Sequence, residues 1–253
     1  MLKRWRTRTI DPTDPSSPTD LPSGVPAPAP RGRSFVVRLA RALAMLLVGY
    51  YLFAVLLLVA YRFVSPPITG VQLERRIEAL GDDKARRFRR QPVALKSLPR
   101  HVGRAVLAAE DGRFYQHSGF DLTEMRDAGK DAIRGGGVRG ASTVTQQLVK
   151  NLFGCTCRNP VRKLYDFALT PPAELILGKD RILELYLNNV EWGPGVFGIE
   201  MAARHHYGTR ARALSRTQAA GLAALLPNPL RRTPRSTAQY RAEILRRMAF
   251  RGW

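Results

Sequence analysis

A mostly α-helical domain carried behind a single membrane-spanning helix is the fold class this sequence predicts. Three observations lead there. Ala42 to Tyr61, "ALAMLLVGYYLFAVLLLVAY", runs for twenty residues without a charge. Beyond it, apolar residues recur at helical spacing: Val106 and Leu107; Leu148 and Leu152; Ile182, Leu183, Leu185 and Tyr186; Ala219 to Leu226. Alternating runs joined by hairpin turns are nearly absent.

Each region follows from its composition. Residues 1–41 carry eight basic residues and three acids. Asp11 to Arg33 is rich in Pro, Ser, Thr and Gly, cannot bury apolar surface and is expected to be disordered. Residues 42–61 are long enough, as a helix, for the roughly 30 Å of a bilayer core. The stretch is too long and starts too late for a cleaved signal peptide, and no small-residue cleavage site follows. Tyr50 and Tyr51 sit mid-span, away from the interfaces where such rings are favoured. The short basic N-terminal segment predicts a cytoplasmic tail and an exported domain. Pro66 and Pro67 end the anchor, residues 62–92 form a basic, partly helical neck, and residues 93–253 form the domain, its core ending near Arg247.

The formal net charge is +21, which predicts an anionic partner. Nucleic acid, anionic lipid and a phosphorylated substrate all satisfy charge alone. An exported domain excludes nucleic acid and leaves membrane lipids or a lipid-linked phosphate. Two cysteines and four scattered histidines give no metal-ligand spacing. Cys155 and Cys157 would close a tight ring, so the expectation is that they stay unbridged.

Two stretches carry chemistry. In "AVLAAEDGRFYQHSGFD", Ala105 to Asp121, a small-residue helix runs straight into Glu110 and Asp111. An acid at the edge of an apolar core has a raised pKa and makes a usable general base. Glu110 and Phe114 share a face, with His117 one turn on if the helix continues. In "VRGASTVTQQLVKNLF", Val138 to Phe153, the polar side of a helix carries Ser142, Thr143, Thr145, Gln146, Gln147, Lys150 and Asn151. Uncharged hydrogen-bonders around one cation suit a sugar and a phosphate better than bulk water. Gln146 and Lys150, four apart, can face one ligand.

These motifs, in this order, resemble those of the peptidoglycan glycosyltransferases. Glu110, Asp111, Phe114, His117 and Gly119 match the first motif, and Gly140 to Asn151 the second. "RKLYD", Arg162 to Asp166, matches the third with Asp in place of Glu, and "ILELYLN", Ile182 to Asn188, matches the fourth. "GPGVFGIEMAA" and "AAGLAALLPNP" resemble the closing segments. The resemblance covers about Leu98 to Pro234 and implies a lysozyme-like glycosyltransferase domain. It implies polymerisation of lipid II onto a polyprenyl-pyrophosphate-linked glycan, at the bacterial inner membrane and on its outer side. Glu110 is then the base and Asp166 the second catalytic carboxylate. Lys150 and Arg158, with Arg162 and Lys163 near, hold the donor pyrophosphate. Asp111, Phe114, His117, Ser142, Thr143, Gln146, Gln147 and Asn151 complete the substrate-binding set, with His117 the one best suited to hold the Glu110 loop. Leu122 to Arg139 corresponds to a mobile jaw. The resemblance fixes no cofactor and leaves open a divalent cation (Mg²⁺ or Mn²⁺) beside Asp166, as well as other cell-wall synthases as partners. No transpeptidase module is expected. The alternatives are a non-catalytic, membrane-anchored lipid II-binding accessory protein and, less favoured, a lysozyme-like hydrolase.

Two departures stand out. Asp166 is one methylene shorter than the glutamate of the motif. Pro171 and Pro172 interrupt an otherwise helical run; each interior Pro costs roughly 3 kcal/mol. The sequence therefore predicts a break there, with Thr170 capping a new helix and Pro171 at its first position.

Overall fold

The structure is a computed structural model that describes residues 31–80, 90–135, 140–157 and 159–253. It forms two compact units, one ending at Leu46 and one running from Leu47 to Trp253. Helix α1 runs Arg31–Phe63, so residues 31–41 are helical rather than part of a disordered tail. The reason is local: after Pro30 the chain has no proline until Pro66, and "FVVRLARAL" favours continuing the turn. From Phe35 to Phe63 this helix is long and apolar enough to cross a membrane. Leu43, Leu46, Leu52, Phe53 and Leu56 are all exposed on it, the pattern of a surface solvated by lipid rather than water. Most of the tail expected to be disordered lies outside the described residues.

The C-terminal half of α1 packs on the domain, burying Ala54, Leu58 and Tyr61. The two mid-span tyrosines explain themselves here. Tyr50 donates its hydroxyl to Phe153 O at 2.7 Å and stacks on Tyr165 with ring centroids 5.0 Å apart. Tyr51 points its hydroxyl at Ala168 O, 3.4 Å away.

Helix α2 (Gly70–Glu78) starts with a capping box between Thr69 and Gln72 and packs on helix α5 (Val144–Phe153). Gly70 permits this: a Cβ there would lie 2.4 Å from Gly154 O. The helical part of the neck thus belongs to the fold rather than linking to it. Then come α3 (Arg100–Glu110), α4 (Leu122–Ile133), α5, α6 (Pro160–Leu177) and α7 (Lys179–Asn189). A two-stranded antiparallel sheet, β1 (Glu191–Gly193) with β2 (Val196–Phe197), is the one sheet among the described residues. Helices α8 (Ile199–Tyr207), α9 (Arg216–Ala223) and α10 (Ala238–Phe250) follow. The apolar runs picked out by periodicity make the core: Val106, Leu107, Leu148, Ile182, Leu185, Tyr186 and Leu222 are fully buried. Helix α4 buries no residue, and the glycine run after it lies largely outside the described residues, so the lid reading is not addressed there.

The proline expectation is corrected. Helix α6 runs unbroken through Pro171 and Pro172. A proline at position i leaves the carbonyl of i−4 without its N–H partner. Pro172 frees Ala168 O, which the Tyr51 hydroxyl approaches. Thr170, expected as a cap, instead donates its hydroxyl to Asp166 O at 2.7 Å. The Tyr51 hydroxyl near Ala168 O comes from α1, a tertiary contact that local propensity does not contain. The cysteine expectation is corrected too: Cys155 and Cys157 form a disulfide, in the loop after α5 where Gly154 and Thr156 leave the backbone free of helix.

Candidate active site

Helix α3 ends on Glu110, so Phe114 and His117 do not share its face as a continued helix would have required. Phe114 opens a short 3-10 turn and is buried. His117 accepts from Gly119 N at Nδ1 (3.2 Å), which leaves the proton on Nε2, donated to Asp111 Oδ1 at 2.9 Å. The other Asp111 oxygen accepts from Val144 N at 3.0 Å, the first amide of α5. An anion at a helix N-terminus is favoured by the helix dipole. Gly119 is needed where it stands: its φ is +93°, and a Cβ would lie 2.5 Å from Thr170 Cγ2.

Thr143 and Gln146 form the capping box of α5. Thr143 also donates to Gly119 O at 2.7 Å. The polar side of α5 therefore divides. Thr143, Thr145, Gln146 and Asn151 are buried and bonded within the protein. Asp111 and His117 are likewise bonded within the protein and Phe114 is buried, with Asp111 still at the cleft wall. Gln146, expected beside Lys150, points into its own cap.

Gln147 is the residue aimed at Glu110. Its amide nitrogen donates to Glu110 Oε2 at 2.7 Å. Its amide oxygen accepts from the Tyr186 hydroxyl at 2.9 Å, which fixes which end of the amide faces the acid. Burial keeps Tyr186 protonated by pushing its pKa well above the ordinary value, and Glu110 and Asp111 add to the rise. Burial also raises the Glu110 carboxyl. The Gln147 hydrogen bond, Lys150 and Arg232 pull it back, and Asp111 pushes it further up.

Glu110 stands in the wall of a cleft of about 530 Å³, lined also by Ser142, Thr143 and Gln147. Three residues on from Gln147 and on the same face of α5, Lys150 is coupled electrostatically to Arg162, Asp166 and Glu110. Burial and the Arg162 charge lower the Lys150 ammonium, while Asp166 and Glu110 oppose the shift. Arg162 Nη1 pairs with Asp166 Oδ2 at 2.9 Å, four residues apart on α6. The short aspartate therefore reaches its cation. Burial raises the Asp166 carboxyl, and Arg162 and Lys150 oppose the rise. Two atoms of this group are buried without a hydrogen-bond partner, Asp166 Oδ1 and Arg162 Nε. Lys163 is exposed at the same end of α6, and Ser142 is exposed beside the cleft. Arg158 lies outside the described residues.

Neither candidate place fits a divalent cation. At Asp166 a single carboxylate is flanked by two cations. Asp111, His117 and Asp121 bring ligand atoms within 4.8 Å of one another. Those atoms are already engaged, with Asp121 capping α4 through Thr123 N and Glu124 N.

The sequence reading missed several cleft residues. Tyr240, Arg247 and Arg251 line the wall from α10 and the turn after it. Tyr240 donates to Ala109 O at 3.2 Å. Arg232 stacks over the Tyr240 ring, 5.5 Å from its centroid, and bears on the Glu110 charge. No local pattern marks these residues, because α10 reads as an ordinary basic surface helix.

The family model described as Transglycosylase matches residues 75–249, more than half of the chain. The chain belongs to the transglycosylase family. The match begins inside the segment read as neck, in keeping with the packing of α2 on α5. Relatives named biosynthetic peptidoglycan transglycosylase align across most of this family member. One from Ectopseudomonas mendocina is 46% identical over 193 residues, 76% of this chain and 80% of its own length. One from Stutzerimonas stutzeri is 44% identical over 197 residues, 78% of this chain and 80% of its own. One from Pseudomonas aeruginosa is 43% identical over 193 residues, 76% and 83% respectively.

Proposed function

We propose that this transglycosylase is a membrane-anchored polymerase of peptidoglycan glycan strands, using lipid II as acceptor and a polyprenyl-pyrophosphate-linked glycan as donor. One observation carries the reading furthest. A half-buried carboxyl braced by Gln147 and Tyr186 sits along the same face of α5 as Lys150, which is in turn coupled to the Arg162–Asp166 pair.

The chemistry follows from that arrangement. Glu110, with its pKa raised, takes the proton from the 4-hydroxyl of the acceptor GlcNAc. The freed oxygen attacks the anomeric carbon of the donor as the bond from that carbon to the phosphate oxygen breaks. The pyrophosphate leaves with the electron pair, and the configuration inverts to a β-1,4 link. A pyrophosphate needs charge neutralisation more than a proton, and Lys150 and Arg162 supply it. Asp166 is a positioning residue that aims those two cations. Ser142 and Lys163, exposed near the two ends, extend contacts to sugar and phosphate.

In this reading α1 holds the domain at the outer face of the inner membrane with the N-terminus in the cytoplasm, from the charge excess before the span. Other cell-wall synthases are natural neighbours there. The experiment is polymerisation of purified lipid II by the full chain in detergent. Glycan product supports the reading. Lipid II binding without product, or cleavage of finished glycan, overturns it.

A further inference from the structure

A second cavity, of about 830 Å³, shares no lining residue with the cleft around Glu110. Its apolar floor is Leu95, Leu98, Leu107 and Leu183, with Tyr115 and Trp253 at its sides. Lys96, Arg100 and Arg104 also line it, and none of the three has a carboxylate partner among the described residues. The two acids in the lining are engaged. Asp180 accepts from the Tyr115 hydroxyl at 3.3 Å. Glu184 accepts from Leu95 N at 2.7 Å and pairs with Arg181.

The cavity adjoins the end of the membrane span. Arg181 is part of its wall, and its guanidinium donates to Tyr61 O at 2.8 Å in the last turn of α1 and to Val64 O at 2.7 Å just after it. Where a span leaves the bilayer, the surrounding medium is phospholipid headgroups and the first carbons of their chains. An apolar floor beside three cations without ion pairs among the described residues, which outnumber the one acid bonded only to a neutral hydroxyl (Asp180), is complementary to an amphiphile with an anionic head. Aromatic rings such as Tyr115 and Trp253 are favoured at that depth.

We propose that this cavity binds an anionic phospholipid of the surrounding membrane. Its phosphate lies among Lys96, Arg100 and Arg104, and part of an acyl chain lies on the leucine floor. The site is separate from the substrate cleft and does not depend on the reaction assigned there. Basic pockets next to a span hold such lipids through charge-assisted contacts to the phosphate.

The test uses the full chain purified in detergent, with lipid retention read by native mass spectrometry. Phosphatidylglycerol and phosphatidylcholine are the probes. The wild type should retain phosphatidylglycerol preferentially. Reversing Arg100 and Arg104 together (Arg100→Glu, Arg104→Glu) should reduce that retention at least about tenfold and leave phosphatidylcholine unchanged. Reversing Arg126 on exposed α4 and Arg134 just after it, an equal change in net charge, should leave retention as in wild type. Thermal unfolding of each variant identifies one that has failed to fold; Lys96→Glu, at an exposed position, then replaces the pair. Equal retention of the two lipids by wild type overturns the proposal. So does equal loss from the α4 variant, which would make bulk charge the cause, or displacement of phosphatidylglycerol by inorganic phosphate alone.

Discussion

Glu110 is half-buried and Asp166 buried, and desolvation raises the pKa of both, yet their surroundings differ in a way that separates their work. Glu110 is braced by neutral groups: Gln147 donates to it, and Tyr186 orients Gln147. Asp166 is held by a cation, with one oxygen on Arg162 and the other without a partner. A carboxyl held by neutral donors at raised pKa can take and release a proton. A carboxyl paired with a guanidinium serves to aim positive charge.

The comparison breaks first if Glu110 is dispensable. Glu110→Gln keeps the shape and removes the base, and turnover should fall by about 10²–10⁴. Polymerisation at more than half the wild-type rate would remove Glu110 from the mechanism. Next in size is Lys150→Ala. Loss of a charge-assisted bond to phosphate should cost about 1.5–3 kcal/mol in donor binding, whereas Lys130→Ala on exposed α4 should cost nothing measurable. Equal losses from the two would mean that a placed cation is not what matters.

Asp166 sharpens the other side. Asp166→Asn removes the charge that aims Arg162, and most activity should go with it. Asp166→Glu should be neutral or mildly harmful, because the aspartate already reaches Arg162 at 2.9 Å and an added methylene must fit a buried site. A large gain from Asp166→Glu would show that the short side chain leaves the natural chain impaired. The smallest effect is on pH dependence. The base works deprotonated, so a raised Glu110 pKa places the acid limb of the rate profile above the ordinary carboxylate range. Gln147 favours the charged form, and Gln147→Ala should therefore move that limb further up. A downward shift, read from initial rates across pH, would contradict the direction of this hydrogen bond.

Much of this was legible in the sequence, and the failures have physical causes. The span, the helical core and the placement of Glu110 at an apolar edge follow from periodicity and burial. Order and spacing of the motifs give the family. The division of the α5 polar side is not legible, because Gln146 and Gln147 are identical in type and only the capping geometry decides which one turns inward. The continuity of α6 is not legible either, because the partner of Ala168 O comes from Tyr51, far away along the chain. The α10 arginines are invisible for the same reason: their place at the cleft is set by tertiary packing.

Lipid II affinity and turnover, measured together on Glu110→Gln and Lys150→Ala, test the division of labour between the carboxyl and the cation most directly. The account predicts that Glu110→Gln keeps near-wild-type affinity while turnover collapses, and that Lys150→Ala loses both. Loss of affinity in the Glu110 variant equal to that in the Lys150 variant would contradict it.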